Sequence, residues 1–243
     1  MLRRSGTIAG ARYATTDRYG GVSAPPYDEL DLGDHVGDDP AAVAENRARL
    51  AAAVGLPADR LVFMAQVHGS DVAVLDGPSA GDPPTADALV TGEPDLGLVV
   101  LVADCVPVVL AARRSDVVAV AHAGRRGLAG GIVAATVDAM RALGARPERM
   151  VAVVGPAVCG ACYEVPAAMA DGVAAIVPAS RAVSRAGTPA LDLRTGVASQ
   201  LTAAGVQTIE VDPWCTRESP DLFSHRRDGV TGRFAGVVLR PAQ

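Results

Sequence analysis

Three side chains that favour soft divalent metals stand at the ends of apolar runs: His68 in QVHGSDV, Cys105 in VADCVPV and His122 in AHAGRRG. Side chains at strand termini converge at one edge of a sheet, which brings ligands distant in sequence to one place. Two imidazoles and a thiolate suit Zn2+, and three protein ligands leave a fourth tetrahedral position for water or substrate. The same residues also fit a metal-free cysteine hydrolase or amidase, with Cys105 as nucleophile and His122 as base. Spacing alone leaves a packed thiol and two structural or surface imidazoles in contention, because no short ligand motif such as HExxH occurs.

The elements that must position these residues follow from composition and pattern. The chain has 243 residues, 49% hydrophobic and 20% charged, enough for a sizeable core. A net charge of −5 argues against attraction to nucleic acid or to an anionic membrane, so an anionic substrate needs a local cationic cluster. The first residues contain no apolar signal region, and the longest apolar stretch, 97–112, is interrupted by Asp104 and Pro107 and is too short to span a bilayer. The expectation is a cytoplasmic protein. Its four cysteines are then reduced thiols. The CGAC at Cys159 and Cys162 is a redox pair, half a zinc site or, most simply, loop packing.

Pattern predicts a helix over 38–55, capped by Asp39 and Pro40 and stopped by Gly55. LVFMAQV (61–67) predicts a strand ending at His68, and 77–86 a loop. DALVT, GLVVLVA, PVVLAAR and DVVAVAHA predict four closely spaced strands in one antiparallel or mixed sheet. A helix over 128–144 begins after the HAGRRG turn, ERMVAVVGP is a buried strand, and 178–190 is a loop. A helix in LRTGVASQLTAAG and strands in VQTIEVD and GRFAGVVLR complete the chain. With no internal repeat or long linker, 1–243 reads as a single α+β domain, mixed sheets with helices outside.

Taken in order, RYGGVS, LDLGDHVGDDPAAVAENR, QVHGSDV, DALVT, ADCVPV, HAGRRG, VGPAVCGACYEV and FSHRRDGVTGR resemble the multicopper polyphenol oxidoreductase family. That family is also called the laccase-domain or purine nucleoside phosphorylase family, and the likeness runs from about Arg18 to Arg233. The resemblance implies an αββα-like sandwich that binds zinc, or by the family's older name copper, through His68, Cys105 and His122. It implies phosphorolysis of adenosine, inosine and methylthioadenosine to the free base and a ribose 1-phosphate, and deamination of adenosine. Purine nucleoside and phosphate are then the partners, and bacterial members are linked to peptidoglycan-precursor quality control. True multicopper oxidation needs about ten histidines or more, and this chain has four. A non-enzymatic scaffold is the remaining alternative, against which the intact trio argues.

Roles for other residues follow from the resemblance. Arg126 and Arg227 occupy family motif positions and, with Arg226 and Arg18, are candidates to orient phosphate beside a helix N-terminus. Arg125 replaces the usual tryptophan of HAGWRG, and Cys159 stands where glycine is common. Asp104 would face away from Cys105 in a regular strand; it is a candidate to hold a ligand histidine, to protonate the leaving purine or simply to hydrogen-bond. Tyr163 and Glu164 are weaker candidates for base or ribose. His225 approaches without ligating, His35 is a surface residue, and Cys215 is a packed thiol or a remote part of the pocket.

Overall fold

Apolar runs without alternation suit strands covered on both faces. The computed structural model, which describes residues 1–78 and 81–242, stacks such strands in two facing sheets. In chain order the first elements are β1 (Leu2–Ile8), β2 (Ala11–Thr16), α1 (Pro40–Val54), β3 (Leu61–Val62), β4 (Val72–Leu75) and β5 (Ala88–Thr91). Next come β6 (Gly97–Val102), β7 (Val106–Ala112), β8 (Val118–Ala123), α2 (Arg125–Ala129), α3 (Ile132–Ala142) and β9 (Met150–Val154). The remainder is α4 (Ala167–Ile176), β10 (Arg181–Val183), β11 (Pro189–Leu191), α5 (Leu193–Ala203), β12 (Thr208–Val211), α6 (His225–Asp228) and β13 (Phe234–Leu239).

One sheet has the order β1-β2-β13-β6-β3 and the other β12-β9-β7-β8-β5-β4, both mixed, with β10-β11 a separate hairpin. Period-two alternation divides the side chains between layers. In β6, Leu98, Val100 and Val102 face the core between the sheets, while Val99 and Leu101 pack under Leu50 and Val54 of α1. In β7, Val109 and Ala111 face inward, and Val108 and Leu110 lie under Val133, Val137 and Met140 of α3. The result is the expected α+β sandwich, helix over sheet over sheet over helix.

The four strands expected in one sheet are divided between two. β5, β7 and β8 lie in the six-stranded sheet, whereas β6 belongs to the five-stranded one. The chain changes sheets at Ala103–Asp104–Cys105, with Asp104 at φ 93, so Asp-Cys is a corner and not a strand interior. Regular alternation therefore says nothing about where Asp104 points.

Other expectations hold or fail for local reasons. The helix of 38–55 is α1, with the Asp39 carboxylate accepting from the Ala41 N–H at 2.9 Å. The helix expected over 128–144 is two, because Gly131 takes φ 87 and breaks the ladder between α2 and α3. Only Leu61–Val62 of the 61–67 run pairs in a sheet; Ala65 adds an isolated bridge to Thr85. The 178–190 loop holds most of the β10-β11 hairpin. Of the 77–86 loop, residues 79 and 80 lie outside the described residues. Among the described residues no helix is long and apolar enough to cross a membrane.

Leu98 is fully buried between the sheets, and Val183 on the hairpin is 67% exposed. Leu98→Ala is expected to lower the unfolding free energy by about 2–5 kcal/mol in urea denaturation. Val183→Ala should change it by less than about 0.5 kcal/mol.

Candidate metal centre and cleft

Three separate segments deliver the trio to one point: the loop after β3 brings His68, the sheet-to-sheet corner Cys105, and the end of β8 His122. One ligand atom from each lies within 4.8 Å of the others. Cys105 Sγ is 3.9 Å from His68 Nε2, and the two imidazoles meet edge-on with centroids 4.7 Å apart. His122 is buried, Cys105 half-buried and His68 exposed, so the group opens to solvent on one side. Gly124 closes the other side. A Cβ there would lie 2.9 Å from His68 Cδ2 and 3.0 Å from Cys105 Sγ, so only glycine leaves the three donors room to converge.

The residue that aims them is Asp87, in the DALVT motif, to which sequence reasoning gave no role. Its fully buried carboxylate accepts from His122 Nδ1 at 2.8 Å and from the backbone N–H groups of Val67, His68 and Gly69 at 3.2, 2.9 and 2.6 Å. Those bonds hold His68 at φ 60, a conformation a β-substituted side chain seldom adopts unaided. With Nδ1–H donating to Asp87, His122 presents Nε2 to the shared site. The signal available in sequence was an acidic residue opening a wholly apolar strand.

The electrostatics follow from this geometry. Burial opposes the Cys105 thiolate, yet the positive charge of His122 and hydrogen bonds from His122 and His68 bring the thiol down to about 6. Burial likewise opposes the His122 imidazolium, but the Cys105 thiolate and Asp87 raise it to about 9. Asp87 stays below the usual carboxylate value despite its burial, through His122 and the N–H groups of Gly69 and Val67. Cys162 contrasts: burial and the neighbouring Cys159 push its thiol up to about 12. Metal-free, Cys105 and His122 form a thiolate–imidazolium pair between about pH 6 and 9. A metal needs the thiolate with neutral imidazoles, so its binding displaces the His122 proton and tightens as pH rises.

The trio opens into a cleft of about 690 Å3, also lined by Gln66, Tyr163, His225, Arg226 and Arg233. Arg226 stacks over the Tyr163 ring at 5.0 Å, and its backbone N–H donates to Asp104 Oδ2 at 2.6 Å. His35, expected as a surface residue, contributes to the lining although its side chain is 57% exposed. Burial and then the Cys105 charge push the Tyr163 phenol up, while Arg125 and Arg226 work against them. The replacement Arg125 thus stands beside the tyrosine. Glu164 lines a separate depression.

Several sequence candidates have other tasks. Asp104 Oδ1 accepts from the hydroxyls of Thr216 and Ser224 at 2.6 and 2.7 Å; with the Arg226 bond, both oxygens are engaged in anchoring the 216–226 segment. Arg227 donates to the carbonyls of Thr216, Ser219 and Leu222 and to Asp228, so its guanidinium braces a loop and is not offered to phosphate. Arg18 donates to the Asp28 carbonyl at 2.7 Å, pairs with the Asp28 carboxylate and covers Phe223, outside the cleft lining. Arg126 is exposed on α2 and does not line the cleft. Arg233, quoted in FSHRRDGVTGR without a role, does.

A family model described as multi-copper polyphenol oxidoreductase laccase matches residues 12–241. A purine nucleoside phosphorylase of Mycobacterium tuberculosis is 56% identical over 227 residues, covering 93% of this chain and 91% of that protein. A purine nucleoside phosphorylase of Streptomyces coelicolor is 55% identical over 239 residues, covering 98% and 99%. The crystal structure of YlmD from Geobacillus stearothermophilus matches with a TM-score of 0.92 at 34% identity, over 100% of this chain and 98% of that one.

In metal-free protein, thiolate absorbance near 240 nm should grow through a midpoint near pH 6 and vanish in Cys105→Ser. His122→Ala should move that midpoint up towards the ordinary thiol value, since the cation that stabilises the thiolate is gone. Asp87→Asn should weaken zinc binding about 10–100-fold in a competitive chelator titration, the usual cost of losing a carboxylate behind a ligand histidine.

Proposed function

Because the chain belongs to the multi-copper polyphenol oxidoreductase laccase family, we propose that it is a zinc-dependent purine nucleoside phosphorylase. It converts adenosine, inosine and methylthioadenosine to the free base and a ribose 1-phosphate, and deaminates adenosine in the same cleft. The observation that carries this reading is the convergence of His68, Cys105 and His122, within 4.8 Å of one another, on a cleft of nucleoside size that arginines line. Two nitrogens and one thiolate in a cradle that only Gly124 permits are a donor set that suits tetrahedral Zn2+ with one position left open. When bound, zinc supplies a Lewis acid with a position open to an exogenous ligand.

This chain's own residues supply binding and orientation. In phosphorolysis a phosphate oxygen bonds to the ribose C1′ as the glycosidic bond breaks, and the base leaves with the electron pair and takes up a proton. Arg226 and Arg233 are the cationic groups to hold phosphate against the positive charge that builds on the sugar. Tyr163, fixed under Arg226, offers a flat face for the purine. His35 and His225 line the cleft and can hand the leaving base its proton. Asp104 is a positioning residue: it holds Arg226 and the 216–226 segment against the corner that bears Cys105.

One observation favours a second reading. A thiol lowered to about 6 beside an imidazole raised to about 9 is the pairing a metal-free cysteine hydrolase uses. Phosphate separates the two readings. Inosine incubated with the enzyme should yield hypoxanthine and ribose 1-phosphate only when phosphate is present. His122→Ala should lose metal and lower kcat/KM by about 100-fold or more, the several kcal/mol a Lewis acid contributes. Metal-independent hydrolysis without phosphate would favour the thiol chemistry. Arg226→Ala should raise the KM for phosphate by about 10-fold and that for inosine by less, in line with one charged hydrogen bond.

A further inference from the structure

Cys159, Cys162, Cys215 and Glu218 stand apart from the trio. Their ligand atoms, three sulfurs and a carboxylate oxygen, all lie within 4.8 Å of one another. The sequence shows only half of this group, the Cys159-x-x-Cys162 pair, and no second CxxC. The fold supplies the other half as a C-x-x-E turn.

The two turns have the same backbone. In the first, the N–H groups of Cys162 and Tyr163 both donate to the Cys159 carbonyl at 2.9 Å. In the second, the N–H groups of Glu218 and Ser219 donate to the Cys215 carbonyl at 3.2 and 2.9 Å. A parallel bridge between Ala157 and Cys215, with the Thr216 N–H donating to the Ala157 carbonyl, sets the turns side by side. Each turn presents its first and fourth side chains to the same point. The Cys159 N–H also donates to Cys215 Sγ at 3.3 Å, a backbone amide aimed at a sulfur ligand.

We propose that these four side chains form a second, closed metal site that holds one zinc ion in a structural role. Three soft thiolates and one carboxylate oxygen make a four-coordinate set that zinc accepts, with no open position, as a structural site requires. Tetrahedral zinc with Zn–S about 2.3 Å and Zn–O about 2.1 Å separates neighbouring ligand atoms by about 3.6–3.8 Å. Cys162 Sγ and Glu218 Oε1 already stand 3.4 Å apart, and no pair needs to close by more than about 1 Å. Cys162 and Cys215 are 4% and 6% exposed, with Val158 and Tyr163 packed around them. Four anionic ligands outweigh one Zn2+, and the surplus faces Arg185, paired with the same Glu218 oxygen, and Arg217, whose guanidinium reaches the Cys162 carbonyl at 3.5 Å.

The position gives the ion something to do. Tyr163, the cleft's aromatic face, directly follows Cys162. Thr216, which binds Asp104 at the corner bearing Cys105, directly follows Cys215. An ion joining the turns clamps two walls of the cleft to each other without touching substrate. This assignment is independent of the phosphorylase reading.

The test is metal content of the full chain purified from zinc-containing medium under reducing conditions. Wild type should hold two zinc ions per chain, His122→Ala one and Cys162→Ser one. With cobalt substituted, His122→Ala should show sulfur-to-cobalt charge transfer of about three thiolates, and Cys162→Ser of about one. One zinc in wild type that persists in His122→Ala would support this site and remove the first. Zinc in wild type that His122→Ala abolishes, with Cys159, Cys162 and Cys215 open to a thiol reagent or joined as a disulfide, overturns it. If Cys162→Ser does not fold, wild type against His122→Ala decides alone.

Discussion

The Asp87 carboxylate sits at the floor of the site with no exposure, and four donors converge on it. A buried carboxylate is tolerable only when its lone pairs are satisfied, and here two of the four satisfying groups belong to the candidate ligands His68 and His122, the others to Val67 and Gly69. Three backbone N–H groups fold the 67–69 loop around it and force His68 into the left-handed region. The His122 imidazole completes the set, and the His122 N–H also donates to the Asp87 carbonyl at 2.7 Å. Desolvation, the convergence of the candidate ligands and imidazole orientation are thus coupled through one side chain.

That arrangement depends on the seam between the sheets. The chain passes from β6 to β7 through a three-residue corner, and Cys105 is its last residue, next to the end of β8. Two-faced burial of these strands fixes the register that sets Cys105 beside His122. The seam also gathers the walls of the cleft. Asp104, beside Cys105, draws in Thr216, Ser224 and Arg226 from the far end of the chain. The corner therefore organises the candidate metal ligands on one side and the lining of the cleft on the other.

What was legible in the sequence was the part set by local chemistry and by ordered motifs. The α1 helix announced itself through Asp39, Pro40 and Gly55, and the three side chains that converge, His68, Cys105 and His122, through their places at the ends of apolar runs. The motifs, taken in order, pointed to the family that the comparisons give. What was not legible depends on tertiary partners. Arg227 and Arg18 look like anion binders until the carbonyls and carboxylates they brace are seen. Asp87 reads as a strand's first residue because the loop that surrounds it lies twenty residues back. Glu218 carries no metal-binding signal until its turn stands beside CGAC. The split of four neighbouring strands between two sheets was hidden because a corner residue at φ 93 leaves no mark in hydrophobicity.

The most direct measurement is anomalous diffraction at the zinc edge from a crystal grown with zinc and soaked with inosine and phosphate. The expected result is a peak about 2.3 Å from Cys105 Sγ and about 2.0–2.1 Å from a ring nitrogen of His68 and of His122, with nucleoside and phosphate in the adjoining cleft. A crystal that carries zinc elsewhere and leaves these three side chains without a shared peak would contradict it.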